Sequence, residues 1–247
     1  MKKTMPQDPI SFRFAQRSDT LLWAGEPILQ FGLRWPEGGE DCPKGLARLL
    51  KLTPAVWESR WRGVLFAQAR AALADCRVRS RPFAPWVCRL DGEVTHNEGG
   101  LCCVVWTASE QTGSPRRSLL RHALVWDLRA DAPRTLRSFF PVRRWRRALF
   151  TRVAEQAEAQ LTRGDSLLDP GLSRLRRQFS PERFQLRDGR LEVFYPQCAV
   201  AAYAEGIPVF DLGPLPVPPD AAPPAPPSLS DFFRHTRAQI RHFSPFV

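Results

Sequence analysis

Between residues 184 and 194, apolar positions recur every second residue on both sides of Asp188-Gly189. Phe184 and Leu186 share one strand face, and Leu191 and Val193 share the matching face of the next strand. Asp and Gly tolerate the positive φ of a tight turn, so the pattern predicts a hairpin. Tyr203-Ala204-Glu205-Gly206 then bends the chain into a last strand through Val209-Phe210-Asp211-Leu212. Alternation also predicts strands over 10–14 and 28–35. Three further runs, 83–90, 100–107 and 119–128, are separated by Asp91-Gly92 and by a loop at 110–115. Links this short make an antiparallel meander. Helical signals alternate with these runs. Thr53-Pro54 reads as an N-cap with Pro at the first helical position, opening a helix to about Cys76 that buries Val56, Leu65, Ala69 and Leu73. A short turn over 135–140 ends at Pro141, a long helix covers 142–161, and a shorter one covers 172–179. Together these predict an α+β fold in which antiparallel sheets pack with long helices.

After Gly213 the pattern changes. Eight Pro between Pro214 and Pro227 exclude a helix or central strand and give a linker of polyproline II character. A helix over 228–243 gathers Leu229, Phe232, Phe233, Ile240 and Phe243 near one face, suited either to docking on the body or to a partner's groove. The predicted division is 1–132, 133–213, a linker at 214–227 and a tail helix at 228–247.

The 247 residues are 43% hydrophobic with 8 Trp and 16 Phe, enough for one large or two small cores. The net charge of +11 invites a nucleic-acid partner, but Lys occurs only at Lys2, Lys3, Lys44 and Lys51, and the Arg residues are spread along the chain. The one dense cluster, Arg143-Arg144-Trp145-Arg146-Arg147, reads first as a solvated helix face with Trp145 docked inward. Nucleic acid is therefore disfavoured as a partner, and salt-sensitive binding through this helix is kept only as an alternative. Six Cys without a CxxC, two of them adjacent at Cys102-Cys103, fit small hydrophobes in a reducing compartment and no metal site. The charged N-terminus is followed by no apolar stretch, and no segment has the apolar length of a membrane span, so the expected location is cytoplasmic.

No nucleophile elbow, phosphate-binding loop, dinucleotide fingerprint or His-Glu-x-x-His occurs. The four His are His96, His122, His235 and His242. Glu98 with His122 across the meander is the one candidate acid/base pair. No catalytic residue, metal site or cofactor is expected.

Three segments carry a resemblance to a known family. Ala123-Leu124-Val125-Trp126-Asp127-Leu128 is similar to an aromatic-Asp-Leu strand before a turn. Thr135-Leu136-Arg137-Ser138-Phe139-Phe140 is similar to a Thr-Leu-x-Asp-Leu-Phe turn. Phe194-Tyr195 with Ala202-Tyr203-Ala204-Glu205-Gly206 is similar to a Phe-x-x-Tyr…Ala-Pro-Tyr-Ala-Ala-Gly ending. In this order and spacing, over about residues 10–212, they resemble the extracytoplasmic part of RsiV-type anti-sigma factors, also found beside the deacetylase domain of PdaC-like proteins. The resemblance implies a second half with an Hsp70 ATPase subdomain-like fold, and a non-catalytic module that binds a protein or a cell-wall-related ligand. It departs at the meander loop, where Thr112-Gly113-Ser114-Pro115-Arg116-Arg117 replaces the family's Gly-Gly-Ala-His, and in the family's being anchored or exported. The expected contact set is Trp106, Arg116, Arg117, Tyr203 and Glu205; for Tyr195, packing against the closing strand is the favoured role. The alternative is a hydrolase, or hydrolase accessory domain, acting on a cell-wall or carbohydrate substrate.

Overall fold

A computed structural model describes residues 9–140, 144–162 and 172–215. The fold is α+β, as the sequence predicts. One sheet has six strands in the order β1 (Phe12–Trp23), β2 (Glu26–Gly38), β3 (Trp86–Glu98), β4 (Leu101–Gln111), β5 (Ser118–Asp127) and β6 (Ala132–Pro133). The other has three, β7 (Phe184–Arg187), β8 (Arg190–Phe194) and β9 (Val209–Pro214). The helices are α1 (Lys44–Arg60), α2 (Phe66–Val78), α3 (Trp145–Thr162) and α4 (Leu172–Gln178). The chain forms two compact units. The first is Ile10–Glu93 with Trp106–Leu120; the second is Val94–Val105 with the described residues from Arg121 onward. Strands β3, β4 and β5 therefore each contribute residues to both units.

In the first unit β1 and β2 form a long antiparallel hairpin through Ala24 and Gly25, both at positive φ. β2 then pairs with β3 in parallel, Leu29 opposite Trp86 and Leu33 opposite Leu90. The sequence predicts antiparallel pairing only. The parallel pair is possible because α1 and α2 supply the crossover that a hairpin cannot. One face of β2 and β3 carries Leu29, Phe31, Leu33, Cys88 and Leu90, all buried. The helices lie on β2. Phe31 and Trp57 pack on Trp61 at ring distances of 5.8 and 5.7 Å.

Three local signals turn out differently in this unit. Thr53-Pro54 does not start a helix: α1 begins after Pro43, and both residues lie buried inside it. Thr53 Oγ1 donates to the Leu49 carbonyl at 3.1 Å, a bond within the helix and not a cap. An interior Pro costs a helix about 3 kcal/mol, which burial of Leu49, Leu50 and Trp57 offsets. The helical path continues through a π-helical turn, Trp61–Leu65, into α2. Asp91-Gly92 is not a turn either, because β3 runs straight through it and the chain reverses at Gly99-Gly100 (φ 64° and 78°). Gly92 answers to packing: a Cβ there would lie 2.9 Å from Pro36 Cδ and 3.1 Å from Trp106 Nε1. Third, the predicted loop at 110–115 starts late, since β4 extends to Gln111 and Glu110 is buried within it.

In the second unit the closing ribbon is as predicted. Asp188 (φ 47°) and Gly189 (φ 72°) turn β7 into β8, Phe184 opposite Val193 and Leu186 opposite Leu191. A short 3-10 turn, Tyr203–Glu205, leads to β9, which pairs with β8. The 135–140 turn is the 3-10 segment Leu136–Phe139, and α3 and α4 stand where helices were expected. Leu101, Cys103, Val125, Leu149, Val153, Leu186, Val193 and Phe210 share one buried core. Gln156 on α3 clamps β9, donating to the Asp211 carbonyl and accepting from Asp211 N. The tip of the β7–β8 ribbon is fastened to β3: Thr95 Oγ1 donates to the Leu186 carbonyl at 2.6 Å, Asp188 N to the Thr95 carbonyl at 3.1 Å, and Gly189 N to His96 Nδ1 at 3.3 Å. The predicted helix start at 142, the Pro-rich linker and the tail helix with His235 and His242 lie outside the described residues.

Candidate recognition surface on the open sheet face

Strand alternation gives the β1–β3 sheet of the first unit a second face, and its central rows are mostly polar. The registers arrange it in rows. Thr20, Gln30 and Val87 make one row; Ser18, Gly32 and Arg89 the next; Gln16, Arg34 and Asp91 the third. Gln16, Ser18, Thr20, Gln30, Arg34, Arg89 and Asp91 are all exposed. A shallow open cleft of about 930 Å³ lies over these strands, and no residue of α1 or α2 lines it. Gly32 forms its floor: nothing lies within 4 Å of where a Cβ would stand. Arg34 donates to Asp91 Oδ1 at 3.0 Å, and its guanidinium sits 4.2 Å above the ring of Phe14, which is 47% exposed. The face thus offers two guanidinium groups against one carboxylate, amide and hydroxyl groups in register, and one aromatic ring.

The opposite face of the unit holds its buried charge. Arg60 donates to Glu110 through Nε at 3.0 Å and Nη2 at 3.1 Å, and Trp61 Nε1 donates to the same carboxylate at 2.8 Å. Burial, with the Glu110 charge nearby, pushes the Cys88 thiol far above its usual range. In the second unit burial pushes the Cys103 thiol up to about 11. Both sulfurs therefore remain protonated packing groups. Among the described residues no group of three His, Cys, Asp or Glu is placed to hold a metal ion.

The residues singled out from sequence fall in different places. Trp106 is 1% exposed and packs beside Gly92, a core residue and not a sheet-end surface. Arg116 and Arg117 are exposed on the β4–β5 connection, where Arg116 N donates to Ser114 Oγ at 3.2 Å. Tyr203 is half-buried and its carbonyl accepts from Gln197 Nε2 at 3.4 Å, while Glu205 is exposed. Trp106, Arg116 and Arg117 belong to the first unit, Tyr203 and Glu205 to the second. Tyr195 is buried, its hydroxyl donating to the Leu175 carbonyl at 3.0 Å and its ring edge-on to Phe210. Burial raises its pKa well beyond the usual phenol range. His122 is buried, and Glu98 approaches His96 Nδ1 at 3.9 Å. Arg144, Arg146 and Arg147 are exposed, with Trp145 turned to Phe140 at 5.7 Å. The open face was missed because its signal is faint. Gln16, Ser18 and Thr20 do alternate, but their charged neighbours hide the period, and Gly32 reads as an ordinary strand glycine.

A mixed sheet crossed by a helical connection, with a separate three-stranded ribbon packed on a long helix, defines the fold class. Two solved structures have this fold. One is a DUF3298 family protein from Pseudomonas aeruginosa PAO1, 16% identical, with a TM-score of 0.56, covering 83% of this chain and 91% of its own. The other is a DUF3298 family member from Bacteroides fragilis NCTC 9343, 13% identical, with a TM-score of 0.60, covering 83% and 90%. DUF3298 denotes a domain of unknown function, so at these identities the likeness establishes fold and no activity. No protein-family model and no curated protein matches the sequence. Among the described residues no helix is long and apolar enough to cross a membrane.

Proposed function

We propose that this chain is a non-catalytic recognition module of RsiV-like kind, and that the open face of β1–β3 is its binding surface. The observation that carries the proposal is the row of Ser18, Gly32 and Arg89 at the floor of the cleft, flanked by Arg34, Asp91 and the Phe14 ring. Flat, hydroxyl-rich and carboxylate-bearing polymers suit such a surface. Guanidinium groups take carboxylates in charge-assisted pairs, amides and hydroxyls take sugar hydroxyls, and an exposed ring takes the apolar side of a sugar. The ligand class is accordingly an acidic cell-wall polymer. Arg116 and Arg117 at the exposed loop, and Tyr203 with Glu205, are additional candidate contacts carried over from the sequence reading.

Gly32→Trp tests this reading. Gly32 has no positive φ and open space above it, so the bulky ring fills the cleft without straining the fold. Purified peptidoglycan sacculi are the probe, in a co-sedimentation assay. The proposal expects the native chain to pellet with sacculi, and Gly32→Trp and Arg89→Glu to lose about tenfold or more in affinity, the loss of a central contact. Unchanged pelleting of Gly32→Trp, or no pelleting of the native chain, would refute it.

A further inference from the structure

We infer that β1 is a self-complementary edge, and that two copies of this chain join along it into one continuous sheet. β1 ends the six-stranded order, and among the described residues it pairs with β2 alone. α1 and α2 pack chiefly on β2 and touch β1 through side chains, Glu58 on Arg17 and Arg70 on Trp23. A strand of this length with one partner leaves a row of backbone donors and acceptors for another strand.

The side chains choose the occupant. Around Ser18 the strand reads as a chemical palindrome. A two-fold axis at Ser18 sets Arg17 opposite Asp19 of the second copy, Gln16 opposite Thr20, Phe14 opposite Leu22 and Arg13 opposite Trp23. Opposite charges, a pair of amide and hydroxyl, and two apolar side chains thus meet in the cross-strand positions where such pairs stabilise a sheet. Slipping the register by two residues in either direction places Arg17 opposite itself or Asp19 opposite itself, a like-charge pair that disfavours the slip. Exposure points the same way. Of the five exposed large hydrophobic residues among the described ones, Phe14, Leu22 and Trp23 lie on this strand, Phe14 at 47% and Leu22 at 56%. Arg17 is already bonded to Glu58, and Asp19 to Arg62, which also reaches Glu58. Arg62 and the Thr20 amide hold the Asp19 carboxyl below its ordinary range. Pairing would close these two networks into one ladder of alternating charge across the axis. An axis at Ser18 relates residues of like parity, so both open faces lie on one side of the joined sheet.

Ser18 faces itself in this arrangement, and that supplies the test. The full chain is measured by size-exclusion chromatography with light scattering, alone and as Ser18→Lys and Ser18→Asp. Ser18 is exposed on the open face, and circular dichroism checks that each variant folds. The expected result is twice the chain mass for the native protein, single-chain mass for each variant alone, and recovery of the doubled mass when Ser18→Lys and Ser18→Asp are mixed in equal amounts. A native chain of single mass at every concentration would overturn the inference. So would a Ser18→Lys protein that stays dimeric, or an equimolar mixture that stays monomeric.

Discussion

Replacing Arg60 by Met should be among the most damaging single changes in the first unit. The Arg60 side chain is 8% exposed and Glu110 fully buried, and three hydrogen bonds converge on the Glu110 carboxylate. Met fills the volume of the aliphatic stem, so the loss isolates the charge. Two of the three donors vanish and the carboxylate is left with Trp61 Nε1. Stranding one half of a buried ion pair costs about 3–5 kcal/mol. Glu110→Leu alone strands the Arg60 guanidinium and should cost a similar amount. The double variant removes both charges and leaves only the Trp61 N–H without its acceptor, about 1–3 kcal/mol. The two single losses should therefore exceed the double loss by several kcal/mol. Urea unfolding followed by tryptophan emission, run as a double-mutant cycle, measures this coupling. Additive losses, or a single Arg60→Met loss below about 1 kcal/mol, the range of an exposed pair, would show that the cluster is not the closed unit described here.

Gly92→Ala should destabilise by about 1–3 kcal/mol through overpacking, since the added Cβ meets Pro36 and Trp106; an unchanged melting temperature would show that the strand accommodates a Cβ there and refute the close packing. His96 should give the fold an acid-sensitive step. Burial holds its pKa below the ordinary 6.5, against the opposing charges of Glu98 and Asp188, and its Nδ1 accepts from Gly189 N. As pH falls through 6.5 the unfolded chain takes up a proton that the folded one refuses. Stability is thus full above 6.5 and declines toward the folded-state pKa. In His96→Asn, urea midpoints between pH 8 and 5 should lose that slope, and a slope equal to the native one would refute the assignment. Tyr195→Phe should cost about 1 kcal/mol, the net value of its bond to the Leu175 carbonyl, read from the same unfolding curves.

How much of this was legible depends on whether the deciding physics is local. Asp188-Gly189 was readable because the turn needs two positive φ values and those residues supply them at little cost. The short turn over 135–140 and the helix α3 were readable from other local signals, the Pro that ends the first and the helical spacing of the second. Pro54 misled because its cap signal is local while the burial of Leu50 and Trp57 around it is tertiary. Gly92 misled because a glycine required by a tryptophan far along the chain looks the same as one required by a turn. The parallel pairing of β2 with β3 has no local mark, since α1 and α2 separate the strands in sequence. The candidate surface needs that pairing: Arg89 and Asp91 meet Gly32 and Arg34 only once β3 lies beside β2.

The central claim is that the polar face of β1–β3 is where this chain meets its ligand. Amide hydrogen exchange with and without solubilised peptidoglycan fragments tests it most directly. Slowed exchange across residues 16–20, 30–34 and 87–91, abolished by Gly32→Trp, is the predicted result. Protection confined to the Arg116-Arg117 loop or to the Tyr203–Glu205 turn, with the sheet face unchanged, would contradict it.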